Sequence, residues 1–478
     1  MAFNLFNSKN RSIIKADSDI PLQVVKDFNK TRPHKATGKI CNAPFRNLYL
    51  APDGNAYVCC YNQKYSLGKY PEKSFKEIWN SETLKIIRQH INNYNLSYGC
   101  DECKSALMNG QFLSAHISLY DCHFGISEFP TFIEFQLENT CNLECSMCNG
   151  ELSSGIANHV ENRVLKKNIY DKHFIQQLVP FIPYLKNASF SGGESFIIPT
   201  YYDIWQMILE KNPDCVITIQ TNGTILNQKV KDILNKGKFS IGISLDSLNE
   251  TTYSHIRKNA VLKNTLENIS YFRDYCKTNQ RFIGISVCPM QQNWEEMPDI
   301  LEFCNKNEME IYFNTVWFPG KSALWILDSV KIKEIVTYYS NKTYSGKSKI
   351  QKKNILTFQN LINMLTGWQN VAEKWEKHKP VNIPQDEIKN LENTIIERIK
   401  VSAGKIINDD TLNKSYIQKN LVDKTTAVFS SLPDNDLKLK SLQIISGYHD
   451  EKIVSDILRE EDQGLFQLIK NLYRIQDL

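Results

Sequence analysis

The chain has 478 residues and a mass of 55.3 kDa, a length that predicts about three domains. Hydrophobic residues make up 42% and charged residues 23%, which is typical of a globular protein and excludes collagen, a coiled coil and wholesale disorder. The formal net charge of +5 is mild, and no Lys/Arg run is dense enough to favour nucleic-acid binding. No apolar run approaches the ~18–20 residues of a membrane span, and the first residues lack the apolar core of a signal peptide. We therefore expect a cytoplasmic protein.

Four segments follow one another along the chain. Residues 1–38 are polar and basic, which is typical of an arm or a short helix. Residues 39–125 are rich in cysteine and carry a turn signal at Pro52-Asp53-Gly54, which predicts a small module. Residues 126–320 alternate short β-rich runs with helical stretches, the pattern of repeated βα units around a parallel sheet. Residues 321–478 show helical spacing of Leu and Ile and predict a helical C-terminal domain.

Cysteine usage gives the first functional signal. The chain has 13 cysteines, all between Cys41 and Cys304. In a reducing compartment such cysteines are metal ligands or catalytic groups more often than disulfides. Two groups stand out: Cys41, Cys59, Cys60, Cys100, Cys103 and Cys122, and then Cys141, Cys145 and Cys148. Four more lie in apolar company and are interpreted first as small buried side chains: Cys215, Cys276, Cys288 and Cys304.

Six strands are predicted in the third segment: 131–138, 187–191, 215–221, 239–246, 281–288 and 310–316. Several of them alternate apolar with polar residues, whereas strands buried on both faces are continuously apolar. Because successive side chains point to opposite faces, alternation favours a curved sheet with helices outside and a polar lumen. The sequence therefore predicts an α/β fold with a partial or full (β/α) barrel, whose chemistry lies at the carboxyl ends of the strands.

A three-cysteine loop, Cys141-x3-Cys145-x2-Cys148, follows the first of these strands. Iron–sulfur clusters are normally held by four cysteines. Three thiolates would leave one iron open, as catalytic metal sites keep an open position. A zinc site completed by a distant residue, or coincidence, is the alternative on spacing alone.

The loop Cys-Asn-Leu-Glu-Cys-Ser-Met-Cys at 141–148 resembles the signature loop of the radical S-adenosylmethionine (SAM) enzymes. Ser191-Gly192-Gly193-Glu194 resembles the family's second-strand GGE motif, although Ser195 stands where Pro is common. Thr221-Asn222-Gly223 is similar to the family's third-strand ending. Ser244 and Asp246 match its fourth-strand end, and Tyr253 with Arg257 resembles the Tyr-x3-Arg segment that follows.

The resemblance implies a partial (β/α)6 barrel of the radical SAM type and a set of cofactor contacts. Cys141, Cys145 and Cys148 would hold a 4Fe–4S cluster whose fourth iron chelates SAM. The residues implied to contact SAM are Met147 at the adenine, Gly192, Gly193 and Glu194 at the methionine amino group, Ser244 and Asp246 near the ribose, and Thr221, Asn222 and Arg257. One electron, from a donor such as flavodoxin or ferredoxin, would cleave SAM to methionine and a 5′-deoxyadenosyl radical that abstracts hydrogen from the substrate.

The first cysteine group is similar to the twitch module, the shortened form of the SPASM auxiliary-cluster domain. Cys41, Cys59, Cys100 and Cys103 offer four thiols, with Gly54 as a turn glycine, and four is a closed ligand set. The resemblance implies a second 4Fe–4S cluster that relays an electron to or from substrate; structural zinc and free thiols are alternatives. Such modules usually follow the barrel, but one subgroup has this N-terminal order. Cys60 and Cys122 are spare or replace a nominal ligand.

The substrate is less defined. One hypothesis is modification of a ribosomally made peptide, with the C-terminal helical domain gripping a leader segment. A second is dehydrogenation or rearrangement of a sugar or another small polar metabolite, which a polar lumen suits. Cys288, at the lumen-facing end of the fifth strand, is a candidate hydrogen donor, against the simpler interpretation as a core cysteine. A non-catalytic electron carrier is the alternative of another class, although a carrier would not need SAM-contact motifs.

Overall fold

The computed structural model describes most of the chain. It covers residues 18–112, 115–121, 127–163, 168–377, 384–407, 414–432, 435–446, 453–454, 457, 462–472 and 474. Residues 1–17 of the predicted N-terminal arm, and Cys122, lie outside these residues. The chain divides into two compact units, the first Met1–Glu138, Lys166–Gln220 and Asn227–Ser240, the second Asn139–Leu165, Thr221–Leu226 and Ile241–Leu478.

The first unit is built on strands in the order β3-β2-β1-β4-β5-β6. Strand β1 pairs antiparallel with β2 and parallel with β4. Strands β4, β5 and β6 run parallel to one another. The bounds are β1 Asn47–Leu50, β2 Asn55–Tyr57, β3 Gly68–Lys69, β4 Phe132–Phe135, β5 Asn187–Phe190 and β6 Val216–Thr221. Its helices are α1 Leu22–Lys30, α2 Ala43–Arg46, α3 Phe75–Trp79, α4 Glu82–Asn92, α5 Asp101–Met108, α7 Lys172–Leu178, α8 Pro199–Lys211 and α9 Gln228–Lys236.

The second unit contains the parallel strands β7, β8 and β9, in that order, and the C-terminal helices. The strands are β7 Phe239–Ser244, β8 Ile283–Val287 and β9 Glu310–Phe313. The helices are α6 Ser154–His159, α10 Glu250–Ile256, α11 Leu262–Thr278, α12 Met297–Lys306, α13 Ser329–Ser340, α14 Lys349–Glu376, α15 Gln385–Ile406, α16 Lys414–Ser431, α17 Asn435–Ser446 and α18 Asp462–Asn471.

All six strands predicted in 126–320 are present as β4 to β9, with helices between them along the chain, so the predicted α/β class is confirmed. In β4 buried residues alternate with half-buried ones, as the polar alternation of 131–138 predicts, and β5 and β6 show the same pattern. In β8, where alternation is also predicted, only Ser286 is half-buried. In β7 the residues from Phe239 to Ile243 are all buried. There the alternate positions carry Ser240 and Gly242, which are small enough to be covered completely.

The edge strand β9 is covered by α14. The buried Asn354 accepts a hydrogen bond from the Ile311 N–H at 3.0 Å and donates to the Met309 carbonyl at 2.9 Å. Phe358, one turn further along α14, lies against Phe313 and Tyr339 at ring distances of 5.9 and 5.2 Å. Asn354, in the predicted helical C-terminal region, thus forms hydrogen bonds with backbone groups at the edge of the sheet. These groups would otherwise be free to pair with another strand. In the described part of the chain no helix is long and apolar enough to cross a membrane.

Candidate functional site

The three-cysteine loop is fixed by backbone hydrogen bonds within the second unit. The Ser146 N–H donates to the Ile256 carbonyl at 2.8 Å, and the Glu144 N–H donates to the Lys258 carbonyl at 3.3 Å. An ion pair of 2.7 Å between Lys258 Nζ and the Glu144 carboxylate adds to these two backbone hydrogen bonds. The loop is therefore tied along its length to the end of α10, where Arg257 lies.

Arg257 lies between the cysteine loop and the end of β7. Its Nη1 is 3.9 Å from Cys145 Sγ, and its Nη2 is 2.7 Å from Asp246 Oδ2. Burial raises the pKa of the Cys145 thiol to about 11, and the guanidinium opposes this rise. Arg257 thus places a positive charge where a cluster-ligating thiolate would need one. Cys141 and Cys148 are half-buried, and the Cys141 sulfur accepts a hydrogen bond from the Leu143 N–H at 3.5 Å.

Asp246 is fully buried and connects Arg257 with the end of β8. Its Oδ1 accepts a hydrogen bond from the Cys288 N–H at 2.7 Å. The side-chain amide of the buried Asn293 donates to the carbonyls of both Asp246 and Cys288, at 2.7 and 3.0 Å. Ser244, the last residue of β7, is half-buried and stands opposite Ser286. The sequence analysis did not identify Asn293; the polar run 291–293 after the fifth strand is its one signal.

Met147 and Cys288 pack together on one small apolar cluster formed by Ile256, Met290 and Val316. Burial raises the pKa of the Cys288 thiol far above its ordinary value, and Asp246 adds to the rise. Cys288 itself is half-buried. Its predicted role as a hydrogen donor stays a prediction.

The end of β6 is linked to the cysteine loop by side-chain amides. Asn222 Nδ2 donates to Asn142 Oδ1 at 2.9 Å, and Asn142 Nδ2 donates to Thr224 Oγ1 at 2.9 Å. The Thr221 hydroxyl accepts a hydrogen bond from the Gly223 N–H at 3.0 Å. The predicted Asn222 is thus brought beside the loop through Asn142, whose role has no signal in the sequence, and the hydroxyl of the predicted Thr221 fixes the turn at Gly223.

In the first unit, the GGE motif forms a tight turn after β5. Gly192 and Gly193 have φ angles of +86° and +51°. A Cβ on Gly192 would lie 2.7 Å from the Glu138 carbonyl oxygen, so the close approach requires glycine. Glu194 is fully buried and accepts a hydrogen bond from the Phe196 N–H at 3.0 Å. Ser195, which stands where Pro is common, donates to the Gln220 carbonyl at 2.8 Å and so ties the turn to β6.

The four predicted auxiliary cysteines, also in the first unit, line one cavity of about 190 Å³: Cys41, Cys59, Cys100 and Cys103. Burial raises the pKa of Cys59, Cys100 and Cys103 to about 12, and it also raises the pKa of Cys41 well above its ordinary value. Buried thiols of this kind become thiolate ligands when a bound metal supplies positive charge.

The buried Asn62 holds two of these cysteines. Its backbone N–H lies 3.4 Å from Cys59 Sγ, and its Nδ2 lies 3.5 Å from Cys100 Sγ and 2.9 Å from the Tyr98 carbonyl. Nothing in the sequence distinguishes Asn62 from other asparagines. Gly99, at φ +77°, makes room for it, because a Cβ there would lie 2.3 Å from Asn62 Oδ1.

Cys60 does not line the cavity. Its sulfur lies 3.9 Å from the Tyr120 hydroxyl, which donates a hydrogen bond of 2.9 Å to Glu134. Burial and the neighbouring Glu134 raise the pKa of the Cys60 thiol. This placement favours the interpretation of Cys60 as spare.

The geometry of the donors bears on the choice between a cluster and zinc. Among the described residues, no three His, Cys, Asp or Glu side chains converge as a site for a single metal ion requires. Thiolates around one zinc lie about 3.8 Å apart, because the metal is tetrahedral with Zn–S near 2.3 Å. A cubane places an iron at each of four corners and spreads its thiolates further. Neither cysteine set, among the described residues, is drawn together as a single zinc ion would need.

These features define an α/β iron–sulfur protein with two cysteine sites. Residues 137–304 match the model of the radical SAM superfamily, and residues 41–104 match that of an iron–sulfur cluster-binding domain, SPASM. The chain therefore contains an iron–sulfur SPASM domain followed by a radical SAM domain, as an enzyme of this superfamily with an auxiliary cluster module does. The predicted family, its SAM and 4Fe–4S cofactors and the unusual domain order are thereby confirmed.

Similar proteins include GTP 3′,8-cyclases. That of Helicobacter pylori is 22% identical over 232 residues, which cover 48% of this chain and 70% of the relative. That of Campylobacter lari is 24% identical over 225 residues, 47% of this chain and 66% of the relative. Among solved structures, Streptococcus suis SuiB bound to precursor peptide SuiA is 17% identical, with a TM-score of 0.33, over 54% of this chain and half of that one.

Proposed function

We propose that this chain uses SAM to abstract a hydrogen atom from its substrate, with the auxiliary site as an electron relay. When bound, the cluster at Cys141, Cys145 and Cys148 and its SAM would supply the agent that removes hydrogen. The protein's part is to hold these groups and to keep water away.

One observation carries this proposal: the Cys145–Arg257–Asp246–Cys288 connection within the second unit. The guanidinium of Arg257 contacts a cysteine of the loop on one side and a buried carboxylate on the other, at 3.9 and 2.7 Å. Asp246 in turn fixes the backbone of Cys288 at 2.7 Å. The chain of contacts positions a candidate hydrogen donor relative to the thiolates that would hold the cluster.

The relay proposal is supported by contacts between the cysteine module and the polar face of β4. Glu134 accepts hydrogen bonds from Tyr120 and from Asn47, at 2.9 and 2.6 Å, and Tyr120 reaches Cys60, next to the ligand Cys59. On the same face, Tyr49 donates to Gln136 at 2.9 Å. These contacts lead from the auxiliary cavity to the strand that precedes the three-cysteine loop. Flavodoxin or ferredoxin is the proposed external donor.

For the substrate, the first candidate is a ribosomally made peptide, which the helical region from α13 to α18 would grip through a leader segment. The second is a small polar metabolite. It is supported by the curated relatives, whose name states that they act on GTP, and by the polar residues Glu134, on β4, and Gln136, directly after it.

The experiment is an anaerobic assay of 5′-deoxyadenosine release with reductant, SAM and fractions of an extract from the producing cells, separated by size. Stimulation by a protease-sensitive fraction of high mass would support the peptide, and stimulation by a protease-resistant fraction of low mass would support the metabolite. Cys145→Ala should release no 5′-deoxyadenosine with either. Release that persists in Cys145→Ala would contradict the proposed site.

A further inference from the structure

A second cavity of the first unit, about 530 Å³ in volume, is lined by four cationic side chains. These are Lys35, Lys39, Arg46 and Arg88, and the one carboxylate among the described lining residues is that of Glu128. Arg46 is buried, Lys39 and Arg88 are half-buried, and Lys35 and Glu128 are exposed, so the positive excess that water compensates poorly is concentrated at Arg46, Lys39 and Arg88.

None of the four cations has a carboxylate partner in the described part of the chain. Lys39 Nζ donates to Asn92 Oδ1 and Arg88 Nε donates to the Pro44 carbonyl, each at 2.8 Å. Arg46 is only 7% exposed, and its guanidinium, which lines the cavity, makes no hydrogen bond to a described residue. Arg32, in the same module, shows the ordinary solution for a buried arginine: its Nε and Nη2 donate to Asp121 at 2.6 and 2.7 Å. A buried charge without a partner is costly. Arg46 therefore has the environment of a residue whose partner is a ligand.

The cations also repel one another. The pKa of Lys39 is lowered, first by burial and then by the charges of Arg46 and Arg88. Lys39 Nζ lies 3.8 Å from the ring centroid of Phe45, and the Arg88 guanidinium lies 4.8 Å from that of Trp79. These rings, and a 2.7 Å hydrogen bond from Trp79 Nε1 to the Glu128 carbonyl, hold the walls in place. The cavity is preorganised, and several positive charges lie close together in it.

The cavity lies at the amino-terminal ends of β1 and β4. Arg46 immediately precedes β1, its carbonyl accepts a hydrogen bond from the Thr131 N–H at 2.8 Å, and Glu128 lies four residues before β4. The GGE turn, in contrast, follows the carboxyl end of β5. The cavity is therefore separate from the edge of the sheet at which the SAM motifs of this unit lie.

We propose that this cavity binds a phosphate-bearing small molecule through a dianionic phosphate or diphosphate group. The cavity has a net excess of about three positive charges. A multiply charged anion would compensate this excess, whereas a single carboxylate would leave most of the positive charge uncompensated. Guanidinium groups bind phosphate oxygens in pairs, and lysines add point charges. The proposal does not depend on the substrate of the radical reaction.

The test is anaerobic isothermal titration of the cluster-loaded protein with inorganic pyrophosphate. We expect one binding site per chain, and at least tenfold weaker binding for both Arg46→Gln and Arg88→Gln. Lys85→Gln, on the same helix α4 as Arg88 but exposed and paired with Glu82 at 3.0 Å, is the matched control and should bind like the wild type. Without ligand, Arg46→Gln should have a higher melting temperature than the wild type, because it removes a buried unpaired charge.

Three results would overturn the proposal: no heat of binding with the wild type, wild-type affinity in Arg88→Gln, or equal affinity for citrate, which would show that the site selects charge rather than phosphate. A lower melting temperature of ligand-free Arg46→Gln would contradict the assignment of Arg46 as unpaired. If Arg46→Gln does not fold, the comparison of Arg88→Gln with Lys85→Gln still decides the outcome.

Discussion

At the scale of single residues, the buried pair of Arg257 and Asp246 connects stability with the candidate site. Arg257→Met would leave the Asp246 carboxylate buried without a counter-charge. We expect a loss of about 3–5 kcal/mol in the free energy of unfolding at neutral pH. Urea denaturation of the two proteins would measure it.

The stability of the same variant should depend on pH. Burial already raises the folded-state pKa of Asp246, and the Arg257 charge opposes the rise. Without the guanidinium the folded-state pKa rises further above the unfolded value, so folding favours the protonated acid. Stability is then lost as pH increases through that raised pKa. The deficit of Arg257→Met should therefore be smaller at pH 5 than at pH 8, and an equal deficit at both would contradict the assignment of Asp246 as its cause.

Asn62 gives a prediction for the auxiliary site. Asn62→Leu removes the Nδ2 donor to Cys100 and to the Tyr98 carbonyl while it keeps a similar volume. Loss of such an outer contact typically weakens metal affinity 10–100-fold. We expect the variant to lose about half of its iron in a chelator challenge that leaves the wild type loaded. Gln63→Ala, a change at the exposed neighbouring position, should retain its iron; equal loss from both would assign the effect to the loop as a whole.

The sequence located the chemistry-bearing residues better than the residues that position them. Cysteines, the glycine pair and the Asp246 and Arg257 positions carry a recognisable spacing. Asn62, Asn142 and Asn293 do not, because each acts through hydrogen bonds to residues far away in the chain, the most distant of them Thr224, 82 residues from Asn142. An asparagine in a loop has the same appearance in sequence whether it faces solvent or satisfies buried groups.

At the scale of elements, the turn after β5 can be tested with two glycines. Gly192→Ala combines an unfavourable positive φ with a Cβ placed 2.7 Å from a backbone oxygen. Gly110 has a similar φ of +70° but nothing within 4 Å of the added atom. We expect Gly110→Ala to cost about 1–2 kcal/mol in unfolding free energy, and Gly192→Ala to cost more and to weaken SAM binding at least tenfold.

Equilibrium dialysis with labelled SAM would measure that affinity. Gly110→Ala should bind SAM like the wild type. Wild-type SAM affinity in a folded Gly192→Ala would contradict the predicted role of this turn.

The six strands β4 to β9 were predictable because their hydrophobic pattern is local. The pairing of β1 with β4 could not be predicted, because Asn47–Leu50 and Phe132–Phe135 are more than 80 residues apart in the chain. Nothing in either sequence indicates which strand it pairs with. The cover of β9 by Asn354 depends likewise on one buried side chain in a 28-residue helix. The sequence therefore predicts elements well, and their lateral order only through resemblance.

At the scale of the whole molecule, the two cysteine sites lie in different compact units, each with its own polar support. Asn62 serves the auxiliary set, and Arg257 serves the three-cysteine loop. Because no ligand is shared, we expect each site to load iron independently of the other.

Anaerobic iron, sulfide and zinc analysis would test this independence. The wild type should contain about eight irons per chain and the Cys141/Cys145/Cys148→Ala variant about four, as two four-iron clusters require. Cys215→Ala, a buried cysteine outside both sets, is the matched control and should keep the wild-type content. About four irons in the wild type and none in the triple variant, with zinc in both, would make the N-terminal site structural. The relay would then be wrong, and redox-neutral chemistry would become the better proposal, since the chain would hold no second electron carrier.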